Sequence, residues 1–336
     1  MRILSAAMIL TVLLTLSLTA TGECREIVFV LNSSRAMSES DPNRMVSDAV
    51  LWSMENLSGD DEAAIIAFSD EPTVIRPLKP LKDDPIRSLE LRYDGQGNAG
   101  SALLMALDML APKYGSDRAI VLIMSGDNFF DNPTLNERSV EAFQAGLYEA
   151  QWLNVPVYIF NLRHNVSPIN YRLHPNYAKE IPINSAQLMT ALRQFFYDEL
   201  KVPHVELTTS GKNKGTMALT VPAESIEHLK ILLIASNVGS AMITNLKPES
   251  VIDGKYVKAF ELNEPPTNHF ALAVDYPNGT GVTVDAIVKL KPQQVETVNE
   301  DEEDQTLLVA EGGAIAALVL SSIPFVRRRV SKGNAR

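Results

Sequence analysis

The chain has a single cysteine, Cys24, among its 336 residues. An intramolecular disulfide is therefore excluded, and there is no Cys/His cluster from which a structural zinc site could be built. Basic residues are also few, since 30 lysines and arginines stand against 41 aspartates and glutamates. The net charge of −11 leaves no basic surface for neutralising phosphates, so we expect no nucleic-acid partner.

Motifs of the common enzyme classes are absent as well. The sequence contains no His-Glu-x-x-His, no Gly-x-Ser-x-Gly, no Walker phosphate loop and no Gly-x-Gly-x-x-Gly after the first predicted strand. The five histidines have no nucleophile beside them at a recognisable spacing. We therefore predict that the chain is not an enzyme and needs no cofactor for catalysis.

The first 22 residues have the pattern of a secretory signal peptide. Arg2 is followed by an apolar run from Ile3 to Leu18 and then by small residues before Glu23. This order and length are typical of a cleaved signal, and an uncleaved N-terminal anchor is the alternative.

A second apolar segment, Thr306 to Val326, lies near the C-terminus and carries one charge, Glu311. At 1.5 Å per residue its length is about 30 Å, which matches the hydrocarbon core of a bilayer. Arginines follow it directly at 327–329, and basic residues stay on the cytoplasmic side of a membrane. We predict a single-pass type I membrane protein whose ectodomain faces the bacterial periplasm or cell surface. An apolar helix inside a soluble domain is the alternative.

Between the membrane and the folded part, the acidic run Glu300–Asp304 has no apolar periodicity, which indicates an extended stalk. The predicted order is a signal peptide (1–22), an α/β domain (23–202), an all-β domain (203–292), an acidic stalk (293–305), a transmembrane helix (306–326) and a basic cytoplasmic tail (327–336).

The segment 26–200 alternates continuous apolar runs with helical patterns, as a parallel sheet covered on both faces requires. Runs at 27–31, 63–68, 119–124 and 155–160 predict strands. We expect a helix with Ser40 or Asp41 as its N-cap, others before the third and fourth strands, and a closing helix from Gln187 to Leu200. Asn132-Pro133 predicts a helix cap, with a calcium loop as the alternative.

After residue 202 the hydrophobic period changes to two, which predicts six or seven short strands of a β-sandwich. Asn278-Gly279 stands between two alternating segments, 270–275 and 282–290, and predicts a hairpin there. The fold class is therefore a doubly wound, mostly parallel α/β sheet followed by an all-β sandwich and a C-terminal transmembrane helix.

Four motifs in the α/β segment occur in a recognisable order. Val30–Met37 (VLNSSRAM) ends the first strand, Phe68–Asp70 ends the second, Gly97–Leu103 opens a helix, and Leu122–Asp127 (LIMSGD) ends the third strand. Together they resemble the von Willebrand factor type A family, which implies a Rossmann-like fold with its ligand crevice at the carboxyl edge of the sheet.

The resemblance fails at the metal-binding positions. In the family, two aspartates, two serines and a threonine on three loops hold a divalent cation. Here the corresponding residues are Asn32, Ser34, Ala36, Gly97 and Gly126, with Asp127 one position late. Because a hard cation needs oxygen ligands and negative charge, we predict no metal, with a weak Mg²⁺ or Ca²⁺ site of Asn32, Ser34 and Asp127 as the alternative.

The predicted binding face comprises the crevice loops, and its candidate residues are Asn32, Ser34, Arg35, Ala36, Gly97, Asn98, Gly126 and Asp127. The Arg35 guanidinium either lies over the crevice as a permanent cation for a partner carboxylate or points into water. The predicted function is protein binding outside the membrane, for adhesion or complex assembly.

Two other functions stay open. The first is metal-dependent adhesion through a rebuilt site. The second is a scaffold subunit of a membrane complex that acts through the β-sandwich or through the small residues 312–317 of the transmembrane helix. The long segment 162–183 beside the binding face has no assigned role.

Overall fold

The computed structural model describes residues 24–111, 117–126, 130–162, 177–202, 205–206, 209–210, 216–221, 226–235, 242–243, 248–263, 270–275 and 282–290. The predicted signal peptide, stalk, transmembrane helix and cytoplasmic tail lie outside these residues. No helix within them is long and apolar enough to cross a membrane.

A six-stranded sheet forms the centre of the first part of the chain. Its strands are β1 (Arg25–Asn32), β2 (Glu62–Phe68), β3 (Pro72–Pro80), β4 (Asp117–Met124), β5 (Val157–Asn161) and β6 (Ala178–Pro182). They lie in the order β3-β2-β1-β4-β5-β6, and all neighbours are parallel except β2 and β3. The four predicted strands are confirmed as β1, β2, β4 and β5.

Helices cover both faces of this sheet, as its continuous apolar strands require. They are α1 (Met37–Ser40), α2 (Met45–Glu55), α3 (Ala99–Leu110), α4 (Pro133–Trp152) and α5 (Ser185–Gln194), which continues as a π-helical turn, Phe195–Glu199. Side chains of β1 alternate between the two layers. Phe29 packs with α2 and α5, whereas Val28 and Val30 pack with α3 and α4.

The start of α2 differs from the sequence prediction. The helix begins at Met45 and its N-cap position is Arg44, so the prediction of an N-cap at Ser40 or Asp41 is wrong. Asp41 nevertheless caps the helix from a distance, because its carboxylate accepts hydrogen bonds from the N–H groups of Met45 (2.9 Å) and Val46 (3.0 Å). One carboxylate thus satisfies two of the four free donors at a helix start.

Two caps follow local sequence rules. Asn132 accepts hydrogen bonds from the N–H groups of Thr134 and Leu135, with Pro133 in the first turn of α4, so the predicted cap is confirmed. Helix α5 begins earlier than predicted, at Ser185, because Asn184 and Gln187 form a reciprocal capping box.

Edge strands β3 and β6 were not predicted from the sequence. Strand β3 contains three prolines, which are typical of edge strands because proline lacks a ladder donor. The buried Arg76 guanidinium holds β3 on β2 by donating to the carbonyl groups of Ala63, Lys79 and Pro80. Strand β6 lies within the segment 162–183, for which no strand was predicted.

After residue 202 the chain forms two antiparallel sheets. Their strands are β7 (Val205–Glu206), β8 (Thr209–Ser210), β9 (Thr216–Val221), β10 (Ile226–Ala235), β11 (Met242–Ile243), β12 (Glu249–Asp253), β13 (Val257–Asn263), β14 (Phe270–Asp275) and β15 (Val282–Leu290). One sheet has the order β12-β13-β10-β15-β7 and the other β11-β14-β9-β8.

The predicted hairpin at Asn278-Gly279 is wrong. Strand β14 pairs with β9 and β11, whereas β15 pairs with β10 and β7. The connection between β14 and β15 therefore links two sheets instead of turning within one. The turn residues themselves lie outside the described residues.

Helix α2 lies between two sheets. Nine of its eleven residues are buried, and its apolar side chains share one core with β1 on one side and with Leu232, Val257 and Ala259 of the five-stranded sheet on the other. Trp52, which is fully buried, makes edge contacts with Phe196 and Tyr197. A helix buried on two sides must be apolar around most of its circumference.

Polar groups of the helical layer are paired across this shared core. Glu55 forms an ion pair with Lys230 of β10, and Arg193 of α5 makes a two-point contact with Asp285 of β15 at 2.8 and 2.5 Å. Asp48 accepts a hydrogen bond from the Tyr256 N–H at 2.6 Å. Burial raises the pKa of Asp48, and backbone N–H donors of this turn oppose that rise.

We expect Lys230→Met to lower the free energy of unfolding by about 3 kcal/mol, because Glu55 would remain buried without its cation. The double variant Glu55→Met, Lys230→Met is expected to recover part of this loss. Urea unfolding followed by the fluorescence of the buried Trp52 measures both. Lys82→Met is the control, since the Lys82–Asp60 pair is exposed. A Lys230→Met variant as stable as the control would contradict the prediction.

Candidate functional site

The loop after β1 carries the first four candidate residues. Asn32 is completely buried, and its Oδ1 accepts a hydrogen bond from the Ser34 N–H at 2.8 Å. The Ser33 N–H and hydroxyl both donate to the Phe68 carbonyl at the end of β2, at 2.8 and 3.1 Å. The loop is therefore folded back onto the sheet edge, with Asn32 stabilising its turn.

Burial divides the candidate residues into two groups. Asn32, Ser34, Gly97 and Gly126 are buried, whereas the Arg35 side chain is exposed and Ala36 and Asn98 are half-buried. Asp127 lies outside the described residues. Of the candidate residues that the structure describes, Arg35 and Asn98 are therefore more accessible than Asn32 and Ser34.

The segment 94–98 closes the crevice. The Asp94 N–H donates to the Ser33 carbonyl at 2.9 Å, and the Arg35 N–H donates to the Gly95 carbonyl at 3.1 Å. Gly95 has a φ of +64°, and a Cβ there would lie 2.9 Å from an Asp70 carboxylate oxygen. Glycine is needed at this position because both the backbone conformation and the space exclude a side chain.

Gln96 connects two neighbouring loops. Its N–H donates to Asp70 at 2.9 Å, its side-chain amide donates to Asp131 at 3.0 Å, and its amide oxygen accepts from the Asp131 N–H at 3.0 Å. Asn98 adds a third link, since its side chain donates to the Asp70 carbonyl and caps α3 by accepting from the Ser101 N–H. The sequence analysis identified Asn98 but not its role as a cap, and it missed Gln96.

The described donors do not fit a divalent cation. The Asn32 amide oxygen is already engaged by the Ser34 N–H, and the Ser34 hydroxyl is a single buried oxygen with no hydrogen-bond partner in the described part of the chain. Among the described residues, no group of three or more His, Cys, Asp or Glu side chains could hold a metal. One hydroxyl and one amide supply too little charge for Mg²⁺.

An open cleft of about 620 Å³ lies beside the closed crevice. It is bounded by the β2–β3 turn, the segment 94–98, the start of α3 and the first half of α4. Its lining residues are Asp70, Glu71, Gln96, Asn98, Ser101, Phe130, Leu135, Arg138, Ser139 and Ala142. Two carboxylates thus line the same cleft as Arg138, and Phe130, Leu135 and Ala142 add apolar surface.

Most of these cleft residues were missed by the sequence analysis. Asp70 belongs to a motif that was recognised, but its position at the rim depends on the Gln96 contact. Leu135 and Arg138 lie on α4. The hydrophobic periodicity of this helix predicted which residues face the sheet, but it assigned no role to the residues on the outer side. Their meeting with Asp70 depends on the packing of α4 against α3, which local patterns do not specify.

Comparison with known proteins gave one family match. Residues 27–128 match the family model described as von Willebrand factor type A domain. A comparison with curated proteins gave no match.

Several solved structures are similar to parts of this chain. They include a von Willebrand factor type A protein from Catenulispora acidiphila (11% identity, 80% of this chain and 64% of that chain, TM-score 0.41), the PilB minor pilin from Streptococcus sanguinis (13%, 52% and 60%, TM-score 0.41) and the von Willebrand factor domain of the type V pili tip protein Mfa5 from Porphyromonas gingivalis (10%, 56% and 99%, TM-score 0.39). The chain covers less than two thirds of the first two.

We expect Gly95→Ala to destabilise the chain by about 1–3 kcal/mol, because a left-handed backbone and a contact with Asp70 both oppose the new methyl group. Gly59→Ala is the matched control, since a Cβ at Gly59 meets its nearest neighbour at 3.4 Å, an ordinary contact. Thermal unfolding of the two variants measures the difference. Equal midpoints would show that the segment 94–98 is not held as described.

Proposed function

Residues 27–128 belong to the von Willebrand factor type A family, and from this premise we propose that the chain is a protein-interaction module without enzymatic activity. The observation that carries the proposal is the cleft between the β2–β3 turn and α4. It combines carboxylates, one guanidinium and apolar side chains in one concave surface, so it offers both charged and apolar contacts to the side chains of a protein partner.

The cleft offers a protein partner a binding surface next to the ligand crevice that the family resemblance implies. Because Asn32, Ser34, Gly97 and Gly126 are buried, the accessible groups among the described residues of the carboxyl edge include Arg35, Asn98 and the cleft rim. We assign the partner's basic side chains to Asp70 and Glu71, and its carbonyl or carboxylate groups to Arg138 or Arg35. Apolar side chains of the partner fit between Phe130 and Leu135.

Binding without a metal is part of the proposal. The donor set around Asn32 supports it, since the amide oxygen is engaged and no described carboxylate joins the hydroxyl of Ser34. Metal-dependent adhesion is the second candidate function. The observation that favours it is the buried Ser34 hydroxyl without a partner among the described residues, which Asp127 and a cation would satisfy.

Membrane anchoring is also part of the proposal and rests on the sequence. The apolar segment 306–326 with its basic flank and the signal pattern of residues 1–22 support a type I protein whose ectodomain lies outside the membrane. In this proposal the two antiparallel sheets form a β-sandwich, which follows the interaction module along the chain.

We expect thermal unfolding of the chain to be unchanged by millimolar Mg²⁺, Mn²⁺ or Ca²⁺. A cation at a hundred times its Kd would stabilise the native state by about 2.7 kcal/mol, which raises the Tm of a domain this size by roughly 5 °C or more. A rise of this size that is abolished by Asp127→Ala or Ser34→Ala would establish the metal-dependent function instead.

We expect a photo-crosslinking amino acid in place of Leu135 to capture one specific partner in cells that make the full chain. The same amino acid at Val74 is the matched control, because the two side chains are similarly exposed, at 42% and 39%. Adding Glu71→Lys is expected to abolish the crosslink, since it reverses the charge of the cleft rim.

Arg35→Ala serves as a third arm of this experiment. Loss of the crosslink in Arg35→Ala but not in Glu71→Lys would move the partner's contact to the β1–α1 loop. Equal capture at Leu135 and Val74 would contradict binding at the cleft.

A further inference from the structure

The outward side of α4 carries a narrow exposed stripe, which shares Arg138 with the proposed partner cleft and has no other residue in common with it. Its members are Arg138, Glu141, Ala145, Tyr148 and Trp152. They follow one another at intervals of three and four residues, so they lie in one row along the helix. The opposite side of α4, with Phe143, Leu147 and Ala150, is buried against the sheet.

The two aromatic residues of the stripe are unusually accessible. Trp152 is 90% exposed and Tyr148 is 53% exposed, whereas the chain's other tryptophan, Trp52, is completely buried. A large aromatic side chain left in water on a folded surface marks an interaction site when it joins other apolar residues in one patch. Ala145 and Tyr148 extend the patch along the helix.

The exposure of Trp152 does not come from a frayed helix end. The end of α4 is a Schellman motif, in which Asn154 is left-handed with a φ of +54°, the Asn154 N–H donates to Gln151 and the Val155 N–H donates to Ala150. Arg118 adds a side-chain cap by donating to the Leu153 carbonyl at 2.5 Å. The backbone therefore holds Trp152 in a defined outward position.

The surroundings of the stripe leave this face available. Helices α2 and α5, on the opposite face of the central sheet, are covered by the five-stranded sheet. Helix α4 lies on the other layer, with α3 as its neighbour. In the part of the chain that the structure describes, the layer of α3 and α4 carries exposed aromatic residues on its outer side.

We propose that the stripe pairs with the same stripe of a second copy of this chain, antiparallel, about a two-fold axis at Ala145. Arg138 and Trp152 lie seven residues, or about 10.5 Å, on either side of Ala145. The two-fold axis therefore brings the Arg138 guanidinium of one copy onto the Trp152 indole of the other, twice over, which is a cation–π contact.

The remaining residues of the stripe fit the same arrangement. Ala145 is small enough to let the two helices approach closely where they cross, and Tyr148, three residues after the axis, lies opposite the small Ala142 of the second copy, three residues before it. An interface that repeats itself under a two-fold axis must be self-complementary, and a stripe with a cation at one end and an aromatic ring at the other meets this condition. Binding to a different protein would not require the stripe to be self-complementary.

The dimer is expected to be weak. The stripe spans fourteen residues, about 21 Å of helix, and the pairing also brings Glu141 near Glu149 of the second copy. A contact of this length falls at the low end of specific interfaces. Detection therefore calls for a covalent trap, and the chain's single cysteine makes a cysteine-free background simple to prepare.

The test introduces Ala145→Cys into the full chain carrying Cys24→Ala. Two cysteines at the two-fold axis come within disulfide reach, since that bond needs Cβ atoms about 3.5–4.5 Å apart. Under mild oxidation we expect a covalent dimer on a non-reducing gel. Val74→Cys in the same background is the control for random collisions, because Val74 is exposed on the edge strand β3.

Second-site variants identify the contact. Adding Trp152→Ala or Arg138→Glu to Ala145→Cys is expected to lower the dimer yield at least about fivefold, and Trp152→Tyr is expected to restore part of it. Trp152→Ala should leave the Tm unchanged because its side chain contacts solvent, so a lower yield would not reflect misfolding.

Three results would overturn the proposal: no dimer from an Ala145→Cys chain that reacts with maleimide, equal dimer yields at Ala145 and Val74, or a yield insensitive to Trp152→Ala. Glu71→Lys separates this proposal from the partner cleft. That variant is expected to keep the disulfide dimer whether or not it loses the partner.

Discussion

Burial of α2 between two sheets is the constraint on which the rest of the structure depends. The helix packs against the parallel sheet on one side and against the five-stranded antiparallel sheet on the other, so its polar groups have little access to water. Asp48 and Glu55 must therefore find partners inside the protein. The turn at Tyr256 and the Lys230 side chain supply them. The α/β part and the antiparallel part are joined by a common core.

This packing also determines where the protein can bind. One helical layer is covered by the antiparallel sheet, and the floor of the family's crevice is closed by the segment 94–98. Among the described residues, Arg35 at the carboxyl edge and Tyr148 and Trp152 on α4 are exposed. Asn32 and Ser34, at the centre of the carboxyl edge, are buried within the fold.

The prediction from sequence succeeded where burial leaves a local signature. Strands β1, β2, β4 and β5 are continuous apolar runs because both of their faces are covered, and the cap at Asn132 depends on adjacent residues alone. It failed where a distant segment completes the element. Strand β3 pairs with β2, where the buried Arg76 guanidinium donates to the Ala63 carbonyl, and β14 and β15 form no hairpin because they pair in different sheets. Asp41 does accept a hydrogen bond from the start of helix α2, but the helix begins four residues after it, at Met45.

Residue order alone determined the alternating α/β pattern, the later period of two, the membrane-segment expectations and the family resemblance, because each depends on spacing along the chain. Folding in three dimensions decided which of the candidate residues a partner can reach. Asn32 and Ser34 became buried, while Asp70, Arg138 and Leu135 met around one cleft. The physical reason is that exposure is a property of packing: a segment about 60 residues further along the chain binds the backbone of Ser33 and Arg35, and the packing of α4 leaves Trp152 in water.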